Sequence, residues 1–418
     1  MILCLSSSPS IMRDICDDIP QKHIFIQAEH CFSYSWRRFQ KKYHEILASC
    51  NLDDVQLILA EHIDSLGILI LMRLDGYRIP AHIFPHINAF PLEVLTLFSI
   101  FRALGHEEDI VVCGCTNTAK RYQAVLGVQT LAIPTFGISD DFYPMDSRWC
   151  RKKLHIPQHE KILLFTGRFA KDKAIPQLLR VYQQLKSSYP LRLVLILSAF
   201  ERPLWNRTQN LLSDVHIIHS ASIEELRLWY NAADIFSFPG CSIFETWGRA
   251  PIEAIVCHTP VVLADWCGFR EYVSPHNGRL CAVQFEEKPV IPPFHYAGVR
   301  EEIYRRELET EICSPTTDVG HVPAWTQRDF CIQALKSFVA QQYAISTAQY
   351  TRVDPAEPLQ KEGFSPVIQL LWDYFRIDSL ADLRRRDREL SWLNRGHRGS
   401  DAIIAQLYQM MYARHHQE

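Results

Sequence analysis

Short apolar runs alternate with amphipathic stretches through the first 150 residues of the chain. The apolar runs have the length of buried strands, and the stretches between them carry apolar residues at helical spacing. Two of these stretches end near Gly76 and Gly105, as helix C-termini often do. The alternation predicts an α/β domain in which crossover helices connect parallel strands. The predicted strands lie at residues 1–5, 23–27, 55–60, 79–84, 109–113 and 130–134.

The same alternation restarts after a polar stretch at residues 139–159, which is punctuated by prolines and contains a short basic segment at 151–153. We therefore predict a domain boundary at residue 150 and a second Rossmann-like unit over residues 151–285. Units of this kind bind ligands at the carboxyl ends of their strands. The predicted strands are 161–166, 192–198, 215–218, 235–238 and 260–264, and the predicted helices are 174–189, 223–232 and 251–257.

The last third of the chain changes character, because prolines break it into short segments with helical patterns. No third sheet is predicted there. We expect residues 286–418 to form a helical extension that packs on the two preceding domains, which span 1–150 and 151–285. The predicted helical stretches are 299–312, 328–343, 365–375, 380–393 and 401–414.

Composition and charge exclude several classes of protein. The 418 residues include 44 Lys plus Arg against 47 Asp plus Glu, so the net charge of -3 provides no overall field that attracts nucleic acid. The longest apolar stretches, at 66–72 and 191–197, are far shorter than the roughly 20 residues needed to span a bilayer. The N-terminus lacks the basic and apolar regions of a secretory signal, and we expect a cytoplasmic protein.

Cysteine and histidine spacing predicts neither disulfides nor a metal site. The 13 cysteines form no Cys-x-x-Cys pair, which favours reduced and mostly buried thiols. The closely spaced pairs His82 with His86 and His155 with His159 have no cysteine at ligand spacing. We therefore predict no bound metal.

The strand, turn and helix pattern at residues 235–254 carries two candidate ligand-binding carboxylates. Glu245 and Glu253 are separated by seven residues, and Pro251 suits the first helical turn, so Glu245 precedes the helix and Glu253 lies inside it. Two carboxylates beside a helix N-terminus can accept hydrogen bonds from the vicinal hydroxyls of a ribose or a hexose. The alternative is that both only stabilise the helix dipole. The residues that would present backbone amides to a ligand are Thr246, Trp247 and Gly248.

A second pattern, Phe165-Thr-Gly-Arg-Phe-Ala-Lys-Asp-Lys, places two cations near the carboxyl end of a buried strand. The strand opens through Gly167 into a loop that carries Arg168 and Lys173. A diphosphate requires cations at two of its oxygens, and Arg can supply two parallel donors. A solvated basic loop is the alternative interpretation.

Together the two patterns resemble family 4 retaining glycosyltransferases of the GT-B fold, over roughly residues 55–280. That family combines a strand ending in Gly-Arg, a Lys five residues after the Arg, and two glutamates separated by seven residues. The segments 230–239 and 258–262 also match the family's framework. The resemblance implies an α/β GT-B fold with two facing Rossmann-like domains, here followed by the C-terminal helical extension.

The resemblance also implies the role of each site residue. Glu253 would hold the ribose hydroxyls, and Glu245 would face the hydroxyls of the transferred sugar. Arg168 and Lys173, beside Gly167, would neutralise the diphosphate leaving group, so that no divalent metal and no cofactor is needed. The expected donor is a UDP-sugar of hexose type, and the acceptor is unidentified. His86, reached by aligning the chain from Pro80, would face the sugar from the first domain, although such a histidine is also often structural.

Departures from the family pattern keep other functions open. Residues 6–10 replace the family's Gly-rich loop, and His258 stands where a glycine is common. The alternatives are a sugar-nucleotide epimerase or coupling enzyme on the same fold, and a catalytically silent GT-B scaffold that binds a nucleotide or a partner. The basic and aromatic run at 36–43 and the basic run at 383–388 could contact a membrane surface, but helices with a charged face are favoured. The sequence does not indicate the oligomeric state.

Overall fold

The computed structural model consists of two compact units, residues 1–135 with 332–418, and residues 136–331. The first unit therefore ends before the predicted boundary at residue 150. The structure describes residues 1–6, 12, 14–16, 19–25, 36–62, 64–86, 92–135, 137–242, 245–285, 297–317, 319, 323–346, 349–350, 369, 372–373, 376–379 and 381–382.

A parallel six-stranded sheet forms the centre of the first unit, with strand order β2-β1-β3-β5-β6-β7. Strand β4 pairs instead with β16 in an antiparallel ribbon. The strands are β1 (Ile2–Ser6), β2 (Gln21–Phe25), β3 (Leu57–Glu61), β4 (Tyr77–Arg78), β5 (Ala81–Phe84), β6 (Ile110–Cys113), β7 (Gln129–Ala132) and β16 (Gln349–Tyr350). The helices are α1 (Trp36–Ser49), α2 (Asp64–Leu74), α3 (Leu92–Ala103) and α4 (Thr116–Leu126).

The second unit has its own parallel six-stranded sheet, with strand order β10-β9-β8-β11-β12-β13. The strands are β8 (Lys161–Phe169), β9 (Leu191–Phe200), β10 (His216–His219), β11 (Ile235–Phe238), β12 (Val261–Ala264), β13 (Gly278–Cys281), and the antiparallel pair β14 (Val283–Phe285) and β15 (Ala297–Val299). The helices are α5 (Ser147–Lys153), α6 (Ile175–Leu185), α7 (Arg202–Arg207), α8 (Ile223–Ala232), α9 (Arg249–Val256), α10 (Phe269–Tyr272) and α11 (Glu301–Cys313), and α12 (Arg328–Ile345) passes from this unit into the first.

These two sheets confirm the predicted α/β class with two Rossmann-like domains. The central strands are buried on both faces, as parallel sheets covered by helices are, and they read as continuous apolar runs. The short elements β13, α7 and α10 were not predicted, because four to six residues carry too little periodicity to separate them from loops.

The described helices of residues 286–418 are divided between the two units rather than forming one extension. In α11 Tyr304 is buried and shares a 2.6 Å hydrogen bond with Ser237 of β11, so this helix packs on the second sheet. In α12 Leu335 and Val339 join the core of the first unit together with strand residues such as Leu57. Each of these two helices thus packs its apolar face on a different sheet. The predicted helices at 401–414 and most of 365–375 and 380–393 lie outside the described residues.

The order of the second sheet creates a switch point between its neighbours β8 and β11. The chain leaves β8 towards β9 on one side, while β11 and β12 continue on the other side, so the connections diverge at their carboxyl ends. Ligands of open α/β sheets bind in the crevice that forms at such a point. The two predicted motifs of the second unit lie at the carboxyl ends of these two strands, which places them at one location.

A buried ion pair connects α5 to this sheet. Arg151, in the short basic segment at 151–153, is buried, and its Nη2 donates to Asp234 at the start of β11. Asp234 also accepts from the Ile162 backbone N–H at 2.7 Å and from Lys161 Nζ at 3.1 Å. The carboxylate therefore joins α5, β8 and β11 at the end of the sheet opposite the switch point.

The described residues contain no helix that is both long and apolar enough to cross a membrane. Every described cysteine is a free thiol, and all of them except Cys313 are buried. Burial raises the pKa of several of these thiols, including Cys113 and Cys241, so they remain protonated and serve as small apolar core residues.

Asp234→Asn should lower the free energy of unfolding by about 3 kcal/mol, because it leaves a buried guanidinium without its counter-charge. The matched control is Asp214→Asn, whose carboxylate pairs with Lys186 but is 77% exposed, and which should cost less than about 1 kcal/mol. Urea unfolding measures both. Equal midpoints for the two variants would show that the Arg151–Asp234 pair does not stabilise the second unit.

Candidate functional site

A cavity of about 670 Å³ lies at the carboxyl ends of β8, β9 and β11 in the second unit. Apolar side chains such as Leu197 and Phe236 form its inner wall, and Ser198 and Ser220 add hydroxyl groups at one side. Most of the predicted donor-binding residues line it, namely Gly167, Arg168, Lys173, Glu245, Gly248 and Glu253. The switch point thus gathers the charged residues of both sequence patterns around one space.

Thr246 and Trp247 lie outside the lining of this cavity. The Trp247 ring is buried against Tyr272 and Trp325, with ring centres 5.8 Å and 5.0 Å apart. The Thr246 carbonyl accepts a hydrogen bond from the Gly268 N–H at 3.0 Å. Gly248, in the left-handed region at φ 75°, turns the chain into α9 and back towards the cavity. Sequence reasoning identified the turn but could not tell which of its residues faces the core.

Lys173 lies at the base of the cavity between two carboxylates. Its Nζ is 2.6 Å from Glu245 Oε2 and 3.7 Å from Asp172 Oδ2. The ammonium also lies 5.2 Å from the ring centre of Phe238, within the range of a cation–π contact. Burial by itself lowers the pKa of Lys173, but the two carboxylates outweigh burial and raise the pKa above its usual value. Lys173 therefore remains a cation at neutral pH.

Arg168 reaches the cavity because β8 is distorted immediately before it. The pairing of β8 with β9 shifts register between Gly167 and Arg168, and Gly167 has φ 146°. A bulge of this kind re-aims the following side chain. The guanidinium is about half exposed, and its Nη2 donates to Asp172 Oδ2 at 3.0 Å. Asp172 is buried and contacts both cations, a role that the sequence analysis missed although Asp172 stands four residues after Arg168.

Glu253 is buried in α9 and hydrogen-bonded to the core. Its Oε2 accepts from Tyr230 Oη at 2.8 Å, and Tyr230 Oη also lies 2.7 Å from Thr166 Oγ1 of β8. On the solvent side Arg249 Nη2 is 3.7 Å from Oε1. Burial raises the pKa of Glu253, and the hydrogen bond from Tyr230 opposes that rise. Tyr230 matched the family framework in the sequence, but nothing in its spacing indicated this contact.

His86 lies in the first unit, two residues after the end of β5. Its Nε2 is 3.2 Å from Glu61 Oε1, and its ring centre is 4.9 Å from that of His62. His82, the other histidine of that predicted pair, is buried with its ring 4.9 Å from Phe338 and does not join this group. A role of His86 towards a sugar stays a prediction.

Comparisons with known proteins fit this geometry. Residues 147–288, which include every charged residue of the cavity, match the family model for "Glycosyl transferases group 1". The chain is 32% identical over 194 residues to a D-inositol 3-phosphate glycosyltransferase of Streptosporangium roseum, an alignment that covers 41% of this chain and 44% of that protein. It is 26% identical over 130 residues to an uncharacterized glycosyltransferase of Methanocaldococcus jannaschii, covering 30% and 32% of the two chains. The chain thus spans less than half of each relative.

Solved structures extend the similarity to both units. Sucrose-phosphate synthase of Thermosynechococcus elongatus superposes with a TM-score of 0.62 at 19% identity, over 78% of this chain and 84% of that one. Anabaena HepE in complex with UDP and glucose gives 0.59 at 14% identity, over 82% and 99%. The chain has the GT-B fold. In this GT-B chain the cavity belongs to the C-terminal Rossmann-like domain, where the matched family segment lies.

The buried carboxyl group of Glu253 makes the stability of the second unit depend on pH. Because the folded-state pKa is raised, the wild type loses stability as pH rises through that pKa. Glu253→Gln removes the ionisation and keeps an oxygen that accepts from Tyr230. We therefore expect the unfolding free energy of the variant, relative to wild type, to rise as pH rises from the unfolded-state pKa of glutamate, about 4.3, to the raised folded-state pKa, and to stay constant above it.

Thermal melts across that pH range measure the effect, with the exposed Glu302→Gln as the control that should show no such trend. A stability difference between Glu253→Gln and wild type that stays constant with pH would contradict the assignment of a raised pKa.

Proposed function

We propose that the protein is a retaining glycosyltransferase that transfers a hexose-type sugar from a nucleoside diphosphate sugar, with a UDP-sugar as the expected donor, and that needs no divalent metal. The observation that carries this proposal is the arrangement of Arg168, Lys173, Glu245 and Glu253 around one cavity at the switch point. Two cations can pair with the diphosphate of such a donor, and two carboxylates can accept hydrogen bonds from its hydroxyl groups.

The nucleoside end of the donor would bind beside Glu253. Its carboxylate is fixed by Tyr230 through one oxygen, and the other oxygen faces Arg249. A carboxylate held in this way accepts hydrogen bonds from the vicinal hydroxyls of a ribose. The apolar inner wall with the hydroxyls of Ser198 and Ser220 would accommodate the planar base.

The diphosphate would lie between Arg168 and Lys173. Both cations already face carboxylates, and Asp172 contacts each of them, so the protein holds them at fixed positions before any donor arrives. As the bond to the sugar breaks, negative charge develops on the departing diphosphate, and preorganised cations stabilise that charge without reorganisation. This is the work that a divalent ion performs in other transferases.

Glu245 would serve the sugar rather than the leaving group. Glu245 precedes the N-terminus of α9, and its Oε2 lies 2.6 Å from Lys173 Nζ. This ion pair neutralises the carboxylate and orients its other oxygen. Retention of the anomeric configuration would follow from attack by the acceptor on the face from which the diphosphate departs. The support for retention is the resemblance of the motif order to the family 4 enzymes.

The names of similar proteins mention compounds that are relevant to this proposal. The curated relatives include several D-inositol 3-phosphate glycosyltransferases, and similar solved structures contain UDP or UDP-2-fluoro glucose. The names of the curated relatives thus mention an inositol phosphate, and the titles of the solved structures mention a uridine diphosphate or a uridine diphosphate sugar. The acceptor of this chain is unidentified, and phosphorylated sugars and cyclitols are the first compounds to test.

The test is release of UDP from UDP-hexoses in the presence of EDTA, with and without a panel of phosphorylated sugars and inositol phosphates. We expect one acceptor to stimulate release, and Lys173→Ala or Arg168→Ala to lower that rate by about 10² to 10³. Arg180→Ala is the matched control, since Arg180 has a similar exposure to Arg168 but pairs with Glu301 outside the cavity. Wild-type rates in the cavity variants, or strict dependence on a divalent ion, would refute the proposal.

Acceptor-independent conversion of the donor to an epimer in the same assay would replace the transferase by an isomerase. Absence of turnover together with nucleotide binding would leave a binding scaffold.

A further inference from the structure

Three potential metal ligands meet in the first unit, at the carboxyl ends of the neighbouring strands β3 and β5. Glu61 ends β3, His62 follows it, and His86 follows β5. One ligand atom from each residue lies within 4.8 Å of the other two. The strand order of this sheet, β2-β1-β3-β5, has its own switch point between β1 and β3, so the cluster lies beside the position where a Rossmann-like sheet binds ligands.

The backbone brings the two imidazoles together through an unusual conformation. His62 has φ 61° and His86 has φ 56°, both in the left-handed region that residues other than glycine rarely adopt. The His62 N–H donates to the Phe84 carbonyl at 2.9 Å, which ties the turn after β3 to the end of β5. As a result the two rings meet edge to face with centres 4.9 Å apart. Residues held in this strained backbone conformation cluster at functional sites, and here two of them lie at adjacent strand ends.

The carboxylate of Glu61 provides an independent observation. The side chain is 4% exposed, and its Oε1 lies 3.2 Å from His86 Nε2. Its second oxygen, Oε2, is buried without a hydrogen-bond partner. A buried carboxylate oxygen that no donor satisfies is costly and calls for an explanation such as an ion.

We propose that Glu61, His62 and His86 bind one divalent transition-metal ion of the zinc type. Two imidazole nitrogens and one carboxylate oxygen are ligands that zinc uses, whereas magnesium and calcium prefer sites made of oxygen atoms. Ligand atoms around tetrahedral zinc lie roughly 3.3 Å apart. The three side chains must therefore move closer together by about an ångström from their present separations of up to 4.8 Å. The ion satisfies Glu61 Oε2, and its fourth position is open to water or another ligand.

The ion would act as an inhibitor rather than as a cofactor of transfer. His86 is the residue predicted to face the transferred sugar, and coordination would occupy one of its ring nitrogens. This consequence rests on the proposed function, while metal binding itself does not. The inference also departs from the absence of a metal site that the cysteine and histidine spacing predicted, because residues 61 and 62 are far from residue 86 in sequence and become neighbours only in the sheet.

The test is calorimetric titration of Zn²⁺ into the full chain after removal of metals with EDTA. We expect one tight site in the wild type, and an affinity more than about 100-fold weaker in both Glu61→Gln and His62→Asn. The exposed His159 and Cys313 could bind zinc adventitiously, so His159→Gln and Cys313→Ser are the controls that should keep the tight site. Mg²⁺ should give no heat at this site.

A wild type without a tight zinc site, or wild-type zinc affinity in both Glu61→Gln and His62→Asn, overturns the proposal. A thermal melt of each variant checks that it folds. Glu61→Gln also keeps the shape of the side chain. UDP binding to the same samples separates the two claims. Zinc binding without nucleotide binding sinks the proposed function alone, and nucleotide binding without zinc binding sinks the metal site alone.

The inhibitory consequence is measured as the ratio of transfer rates with and without zinc. We expect zinc to reduce the wild-type rate at least tenfold and the His62→Asn rate by much less, whatever the basal rate of that variant. Equal ratios in the two proteins would contradict inhibition through this cluster.

Discussion

The divergence of chain connections between β8 and β11 is the constraint on which the site of the second unit depends. Parallel strands end at the same edge of a sheet, and only at a switch point do the flanking loops leave room for a ligand. Gly167 and the bulge after it re-aim Arg168 at the end of β8, while Gly248 redirects the chain into α9 after β11. Four charged side chains from distant parts of the sequence therefore surround one cavity.

Internal carboxylates keep those charges in position. Asp172 contacts Arg168 and Lys173, and Glu245 contacts Lys173 at 2.6 Å, so each cation is fixed in a partly buried setting without a ligand. The opposite side of the site is fixed by the hydrogen-bonded chain Thr166–Tyr230–Glu253, which runs from β8 through α8 to α9. Positions set in this way favour charge stabilisation during bond cleavage, because little reorganisation remains to be done.

Sequence periodicity was sufficient for the two sheets, since buried parallel strands and amphipathic helices leave strong patterns. The cavity-lining residues Arg168, Lys173, Glu245 and Glu253 could be identified from the order and spacing of two motifs, which are visible in the sequence alone. The sequence could not show that Trp247 points into the core, that Asp172 joins both cations, or that Arg151 is buried, since these depend on packing between separate elements. A helical extension packed on both domains was expected after residue 286, and among the described helices α11 packs on the second sheet while α12 contributes to the core of the first.

The central claim is that the cavity recognises a diphosphate through its two cations. Calorimetric titration of UDP and UMP into the wild type and into Arg168→Ala, with EDTA present, tests it most directly. The account predicts that the wild type binds UDP more tightly than UMP, and that Arg168→Ala loses about tenfold or more in UDP affinity while its UMP affinity changes little. Unchanged UDP affinity in Arg168→Ala, or no preference of the wild type for the diphosphate, would contradict the account.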